Sequence, residues 1–452
     1  MASLRGHSVT FSEERVSDAI RKAGVYFGYE KLKDLQVQVI SGIIFGQDVF
    51  AVLPTGFGKS LCYACLPLVF DLLYKPSQPS IVCVVTPLTA IIEDQVSSLS
   101  SKGLATGSVT GNMTSNMLDR IKTGKCQLLF FNPEMLLQQS IWRCLLQSKE
   151  YKSRLQALVI DEAHTVIKWG ETFRQSLKNL GEIRSLLQED VKCLALTATA
   201  TKALRVKVSE LIGLVKPLVI AVSPCKQNMM YAVSKFNTIE ETFAPVLKGI
   251  KTQRTSFPRM IIYSRRYDEC NKLYLYFRSA LEDGFTEPPD APDLCRFRLV
   301  DKFTSCIVKS VKSQIIEYFG KDSCLRIVIA TVAFGMGLDC PDVRQVIHLG
   351  ASDNIEGYIQ ETGRCGRDGK PCLALLLLSN YMNHYREKSM LEYQSNTTHC
   401  RRDMLFQDAD EYTHVDMGSK CLCCDVCTKS CDCGSCVQKH GICNFTFLDT
   451  KL

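Results

Sequence analysis

The residues with the types and spacing to do chemistry sit in a few short words. Pro54-Thr-Gly-Phe-Gly-Lys-Ser60 places two glycines, a lysine and a hydroxyl together. Gly56 and Gly58 let the backbone approach a phosphate closely, Lys59 is suited to neutralise β and γ phosphates, and Ser60 to ligate magnesium. Leu53 stands where the general pattern of such loops has its first glycine. About 100 residues later, Asp161-Glu-Ala-His164 sets two carboxylates side by side. Asp161 is suited to hold magnesium through water, and Glu162 to polarise the water that attacks a γ-phosphate. Cysteine provides the other concentration: of 23 in the chain, nine lie between Cys400 and Cys443. Such a cluster reads as metal ligands, and the fourteen scattered cysteines as ordinary buried thiols.

The elements that must position these groups are visible as short apolar runs. Asp48–Leu53, Ile81–Val85, Gln127–Phe131, Ala157–Ile160 and Cys193–Leu196 alternate with helix-like stretches, the pattern of a parallel sheet covered on both faces. The phosphate word then follows a strand and precedes the helix-like Leu61–Leu73. The two carboxylates follow Leu158–Ile160, at a strand's carboxyl end, where ligands bind in open α/β sheets. A second series of runs opens near Pro217–Ala221 and continues through Met260–Tyr263, Ile327–Ala330, Val346–His348 and Leu373–Leu378. The segment Asp283–Asp293 is rich in turn formers and reads as a surface insertion. The expected division is a first domain over 1–214, a second over 215–381 and a cysteine-rich end over 382–452.

Bulk properties agree with a soluble globular chain. At 452 residues it is too long for one ordinary core, and its 46% hydrophobic and 22% charged residues exclude wholesale disorder. The formal charge of +7 is compatible with a polyanionic partner. The first residues lack the apolar core of a secretory signal, so an intracellular setting is expected.

The words together resemble superfamily-two helicases, and those around them resemble the RecQ family. Phe27-Gly-Tyr29 followed by Gln36 is similar to that family's adenine-reading motif, with Lys33 where arginine is usual. Thr86-Pro-Leu88 with Asp94-Gln95, and Asn132-Pro-Glu134, look like its strand-contact motifs; Leu196–Thr201 resembles the motif coupling hydrolysis to domain movement. Ala330–Asp339 and Gly357–Gly369 are long matching words, the second carrying Gln360 and, at the family's arginine-finger positions, Arg364 and Arg367. Trp169, Phe173 and Arg174 have the spacing of the aromatic-rich loop that senses single-stranded DNA, although Lys168, Glu171, Thr172 and Gln175 replace its usual residues. Cys400, Cys421, Cys424 and Cys427 take the places of the family's four zinc ligands, leaving Cys423 free.

The resemblance implies two tandem RecA-like domains with parallel sheets, followed by a zinc-binding module. It implies ATP, magnesium and zinc as cofactors, with Gln36, Thr55, Gly56, Gly58, Lys59, Ser60 and Asp339 around the nucleotide. Lys59, Asp161, Glu162, Gln360, Arg364 and Arg367 form the catalytic set, and Asn132, Trp169, Phe173 and Arg174 contact the strand. The activity implied is 3′ to 5′ movement on single-stranded or forked DNA, in repair and recombination, with nuclear location following from the substrate. No winged-helix or small helical strand-binding domain is recognisable, and only a diverged segment around Phe297–Asp301 stands near one expected word. The alternatives are an RNA helicase or translocase and a catalytically weak DNA-binding scaffold; retention of the catalytic set argues against the scaffold.

Overall fold

A computed structural model of the chain describes residues 11–87, 89–110, 113–167, 178–331, 334, 340, 342–378, 387–407 and 422–431. They form two compact units, divided after Ser223. In the first, the apolar runs become β1 (Val49–Val52), β2 (Ile81–Val85), β3 (Thr106–Val109), β4 (Leu128–Phe131), β5 (Leu155–Ile160), β6 (Lys192–Thr197) and β7 (Leu218–Ala221). They lie in the order β3-β4-β2-β5-β6-β1-β7, every pair parallel. Side chains alternate across this sheet. Val49 and Ala51 join the core under the helices Glu13–Tyr26, Asp34–Ile44 and Lys59–Tyr74, whereas Phe50 and Val52 join the core with Phe131, Trp142 and Ile160. Both faces are covered, which is why the runs are continuously apolar.

The second unit carries β8 (Met229–Lys235), β9 (Arg259–Ser264), β10 (Val300–Phe303), β11 (Ile327–Ala330), β12 (Val343–Leu349) and β13 (Cys372–Leu378), in the order β10-β11-β9-β12-β13-β8. These pairs are parallel too. The expected α/β class with two parallel-sheet domains is therefore observed. Among the described residues, no helix is long and apolar enough to cross a membrane.

The structure corrects the division of the chain. The run Pro217–Ala221, read as opening the second domain, is instead β7, hydrogen-bonded to β1 at the edge of the first sheet. Asp48 fixes it there: its carboxylate accepts Val215 N and Cys193 N, each at 2.8 Å, and its carbonyl accepts Leu218 N at 2.8 Å. An apolar parallel strand has the same composition in either sheet, so periodicity alone could not assign it. The described part of the cysteine-rich end is likewise no free-standing module. It packs on the second unit, where Tyr231 N of β8 donates to Cys423 O at 3.3 Å. The turn-rich segment around 283–293 is pinned rather than loose: Arg254 donates to Glu287 at 2.8 Å, and Arg298 bonds Asp293 and Asp301 at 2.6 and 3.0 Å. Of the scattered thiols, Cys62, Cys65, Cys83, Cys126 and Cys193 are free and buried, while Cys144 and Cys306 are exposed.

Candidate nucleotide site and cysteine cluster

In the first unit, the chain leaves β1 into the phosphate word and re-enters a helix at Lys59. Leu53 N donates to Thr197 O at 2.9 Å, which holds the loop's start against β6. Gly56 and Gly58 have φ of 81° and 87°, left-handed conformations that favour glycine. Gly58 is the N-cap of the helix Lys59–Tyr74, so the loop backbone and the positive end of the helix face one place. Lys59 Nζ donates to Leu53 O at 3.2 Å, across the same loop. Thr55 and Ser60 are half-buried on it.

Gln36 lies in the first turn of the helix Asp34–Ile44. Its Oε1 accepts Lys33 N at 2.9 Å, and its Nε2 donates to Phe57 O and Gly58 O, each at 3.1 Å. The glutamine thus fastens its helix to the phosphate loop. Lys33 Nζ donates to Phe57 O at 3.2 Å and stands 4.3 Å over the Phe57 ring, so its charge serves the same loop.

The carboxylate pair follows β5. Asp161 is buried, and Glu162 has a φ of 50°, an uncommon conformation for a residue with a side chain. Glu162 N donates to Asp161 Oδ1 at 3.0 Å, and His164 Nδ1 lies 2.9 Å from Thr197 Oγ1 at the end of β6. Burial, then the neighbouring charge of Glu162, pushes the Asp161 carboxyl up to about 7, against the pull of Lys59. Glu162 Oε2 is itself buried, 3.4 Å from His164 Nδ1. Two adjacent carboxylates, one of them buried within the field of Lys59, are oxygen donors of the kind a magnesium ion takes. Ser60 and Asp161 would hold it.

In the second unit, the helix Ile355–Thr362 carries Gln360 and Glu361 and leads into Arg364 and Arg367. Arg364 is 4% exposed; the Tyr263 hydroxyl at the end of β9 donates to Phe334 O at 3.3 Å, and the charge of Arg364 opposes the burial that pushes this hydroxyl up to about 12. Glu361 Oε2 accepts from His348 Nε2 at 2.9 Å and from Ser352 Oγ at 2.5 Å. Burial works to raise the Glu361 pKa, but the His348 and Ser352 bonds and the charge of Arg364 outweigh it and hold the carboxyl below its ordinary range. Sequence reasoning singled out Gln360, Arg364 and Arg367 and missed Tyr263, His348 and Ser352, whose only signal is position at strand ends. Asn132 caps the short helix Pro133–Gln138, its Oδ1 accepting Glu134 N at 2.9 Å. Asp339, Trp169, Phe173 and Arg174 lie outside the described residues.

Among the described residues, the cysteine cluster holds Cys423 beside three of the expected ligands. The sulfurs of Cys400, Cys423, Cys424 and Cys427 all lie within 4.8 Å of one another. Cys423, expected to be free, is among them, 3.6 Å from Cys400, while Cys421 lies outside the described residues. The physical reason is the Tyr231 bond to Cys423 O, which turns this residue in against β8. Four thiolates on zinc at about 2.3 Å stand about 3.8 Å apart, so the donor set fits that ion. Hydrogen bonds from Cys400 and Cys423 pull the Cys424 thiol below the ordinary thiol range.

Comparison with known proteins follows the same division. Residues 33–206 match the DEAD/DEAH box helicase family and residues 242–369 the helicase conserved C-terminal domain. The chain is 28% identical over 434 residues to the Caenorhabditis elegans RecQ-like DNA helicase blm-1, covering 89% of this chain and 41% of that one. It is 31% identical over 394 residues to the Rattus norvegicus ATP-dependent DNA helicase Q5, covering 83% and 37%. A Caenorhabditis briggsae putative ATP-dependent DNA helicase Q1 is 29% identical, with 89% and 64% covered. The chain thus spans between 37% and 64% of these relatives' lengths. Among solved structures, the DUF1998 helicase MrfA bound to DNA superposes with a TM-score of 0.65 at 16% identity, covering 91% of this chain and 58% of that one. Saccharomyces cerevisiae Dbp5 bound to RNA and ADP BeF3 gives 0.61 at 15%, with 89% and 95% covered. Both helicase domains stand in order, and the relatives that match along most of the chain are RecQ-type DNA helicases.

Proposed function

We propose that this chain is an ATP-dependent DNA helicase that moves 3′ to 5′ on single-stranded DNA and opens forked duplexes, acting in repair and recombination in the nucleus. The observation that carries the reading is the first-unit constellation: Gly58 at a helix N-terminus, Lys59 on the loop, and Asp161 and Glu162 at the end of β5. Lys59 and the loop amides bind the phosphates of ATP. Magnesium, held by Ser60 and Asp161, would supply neutralisation of phosphate charge. Glu162 takes a proton from the attacking water, and Arg364 and Arg367 supply positive charge to the transferring phosphate. Gln360, from the same word, serves the same step. Trp169, Phe173 and Arg174 stack on and grip the strand without sequence preference, and Asn132 joins them. Cys400, Cys423, Cys424 and Cys427 would hold zinc, which would supply a cross-link between the helix after Cys400 and the Cys423–Cys427 segment.

The test is ATP hydrolysis by the purified chain alone, with single-stranded DNA and with RNA of equal length. Stimulation by DNA above RNA is expected. Equal or greater stimulation by RNA would favour the RNA-helicase reading, and none by either would favour a scaffold.

A further inference from the structure

We propose that Lys226 is a positioning residue for Arg364, and that the cysteine-bearing end of the chain, through Arg402, holds Lys226 in place. The proposal rests on the reading of Arg364 as a donor of charge to the transferring phosphate.

Arg364 stands between two residues whose carbonyls accept from the same ammonium: Lys226 Nζ donates to Gly363 O at 2.6 Å and to Cys365 O at 2.7 Å. The peptide that enters Arg364 and the one that leaves Cys365 are thereby held, and the backbone from which the Arg364 side chain departs is bracketed between them. Both bonds are charge-assisted and half-buried, the conditions under which such bonds are strongest. Two residues after Lys226, a second side chain reaches the same loop. Asn228 Nδ2 donates to Gly366 O at 2.9 Å and to Lys370 O at 2.6 Å. Gly366 has a φ of 59°, and a Cβ there would stand 2.5 Å from Asn228 Nδ2, so the segments meet at a distance only glycine allows.

The segment is held in turn from the other side. Arg402 is 2% exposed, and its guanidinium donates to Lys226 O at 2.6 Å, to Met229 O at 2.5 Å and to Cys225 Sγ at 3.3 Å. Arg402 follows Cys400 by two residues in the helix Arg401–Phe406, and neighbouring Arg401 forms an ion pair with Asp425, which lies between Cys424 and Cys427. Arg402 thus ties the helix that follows Cys400 to the Lys226 backbone, and the Lys226 ammonium continues to the carbonyls on either side of Arg364. A planar fork suits this place: three acceptors lie around one buried cation, more than a lysine could meet in fixed directions.

The experiment uses the whole chain and measures kcat and KM for ATP with saturating single-stranded DNA, alongside thermal unfolding and zinc content. Lys226→Met is expected to lower kcat about tenfold to a hundredfold, the effect of misplacing a catalytic group by about 1 Å, with KM, unfolding temperature and zinc little changed. Lys226→Arg, which keeps donors and charge, should recover most of the loss. Lys226→Met combined with Arg364→Ala should be no slower than Arg364→Ala alone, because the lysine acts only through the arginine. Arg402→Lys should reduce kcat with zinc retained. Should Lys226→Met fail to fold, Asn228→Ala tests the same clamp and is expected to lower kcat several-fold. Normal kcat in Lys226→Met or Asn228→Ala beside a crippled Arg364→Ala, or a double variant far slower than Arg364→Ala, overturns the role of Lys226. Normal kcat in Arg402→Lys overturns the link to the cysteine end. Full turnover in Arg364→Ala would instead remove the reading of Arg364, and the proposal with it.

Discussion

The phosphate loop of the first unit and the Gly363–Gly366 loop of the second are built on opposite plans. The first is made of its own residues: its glycines adopt left-handed φ, its lysine bonds back to Leu53 O, and the helix it opens supplies the field. From elsewhere, Gln36 and Lys33, some twenty residues upstream, reach in, and Thr197 of β6 holds the loop's start. The second loop is held from outside, by Lys226 and Asn228 more than 130 residues earlier and by Arg402 behind them. A loop that must receive a variable ligand can be specified locally. One that must point an arginine in a fixed direction is specified by what surrounds it.

The largest effect that would test this contrast is loss of the metal. Cys424→Ser should remove zinc and leave the cysteine end unfolded, a loss on the order of 10 kcal/mol to that segment, read by metal analysis and solubility. A Cys423→Ser variant sharpens it: the geometry predicts that Cys423→Ser releases zinc, and an unchanged zinc content there would return Cys423 to a free thiol. Next come Lys59→Ala and Glu162→Gln, each expected to slow DNA-stimulated hydrolysis about a thousandfold, or about 4 kcal/mol, with nucleotide binding retained only in the second. Near-normal turnover in either would break the first half of the comparison.

Glycine replacements separate the two plans more finely. At Gly366 a Cβ would meet Cys372 Sγ at 2.4 Å and Lys370 O at 3.1 Å, so Gly366→Ala should destabilise the second unit by about 2–4 kcal/mol in denaturant unfolding. At Gly58 the nearest atom is Gln36 Nε2 at 2.6 Å, the end of a side chain that can yield. Gly58→Ala should therefore cost about 1–2 kcal/mol, chiefly in nucleotide affinity. The smallest effect is expected at Trp169→Ala, which should weaken stimulation by single-stranded DNA by about 1–3 kcal/mol while leaving basal hydrolysis alone.

What could be read from the sequence follows the same line. Pro54–Ser60 and Asp161–His164 are contiguous words next to apolar runs, so their places on a loop and a strand end were legible. The alternation of runs gave two parallel sheets. Pro217–Ala221 was assigned to the wrong sheet because only Asp48, some 170 residues away, decides its partner. β8 went unnoticed, since Met229–Lys235 reads as neither alternating nor continuously apolar. The spacing of Cys421, Cys424 and Cys427 shows reach but not direction, and the Tyr231 bond that turns Cys423 inward has no sequence signature. Lys226, Asn228 and Arg402 look like ordinary polar residues until the fold brings them to the loop.

β8 also bears on how the chain is made. It is the first strand of its sheet to be synthesised, yet its sole partner in that sheet is β13, which arrives some 140 residues later. Until Cys372–Leu378 have emerged, Met229, Met230, Tyr231 and Ala232 form an apolar strand with both edges open, the kind of segment that recruits other chains into aggregates. Its outer edge stays open longer still, until Cys423 and Cys424 meet Tyr231. The cysteine end is thus a late cover for an early strand. Fragments ending before it should be prone to aggregate even where every catalytic residue is present.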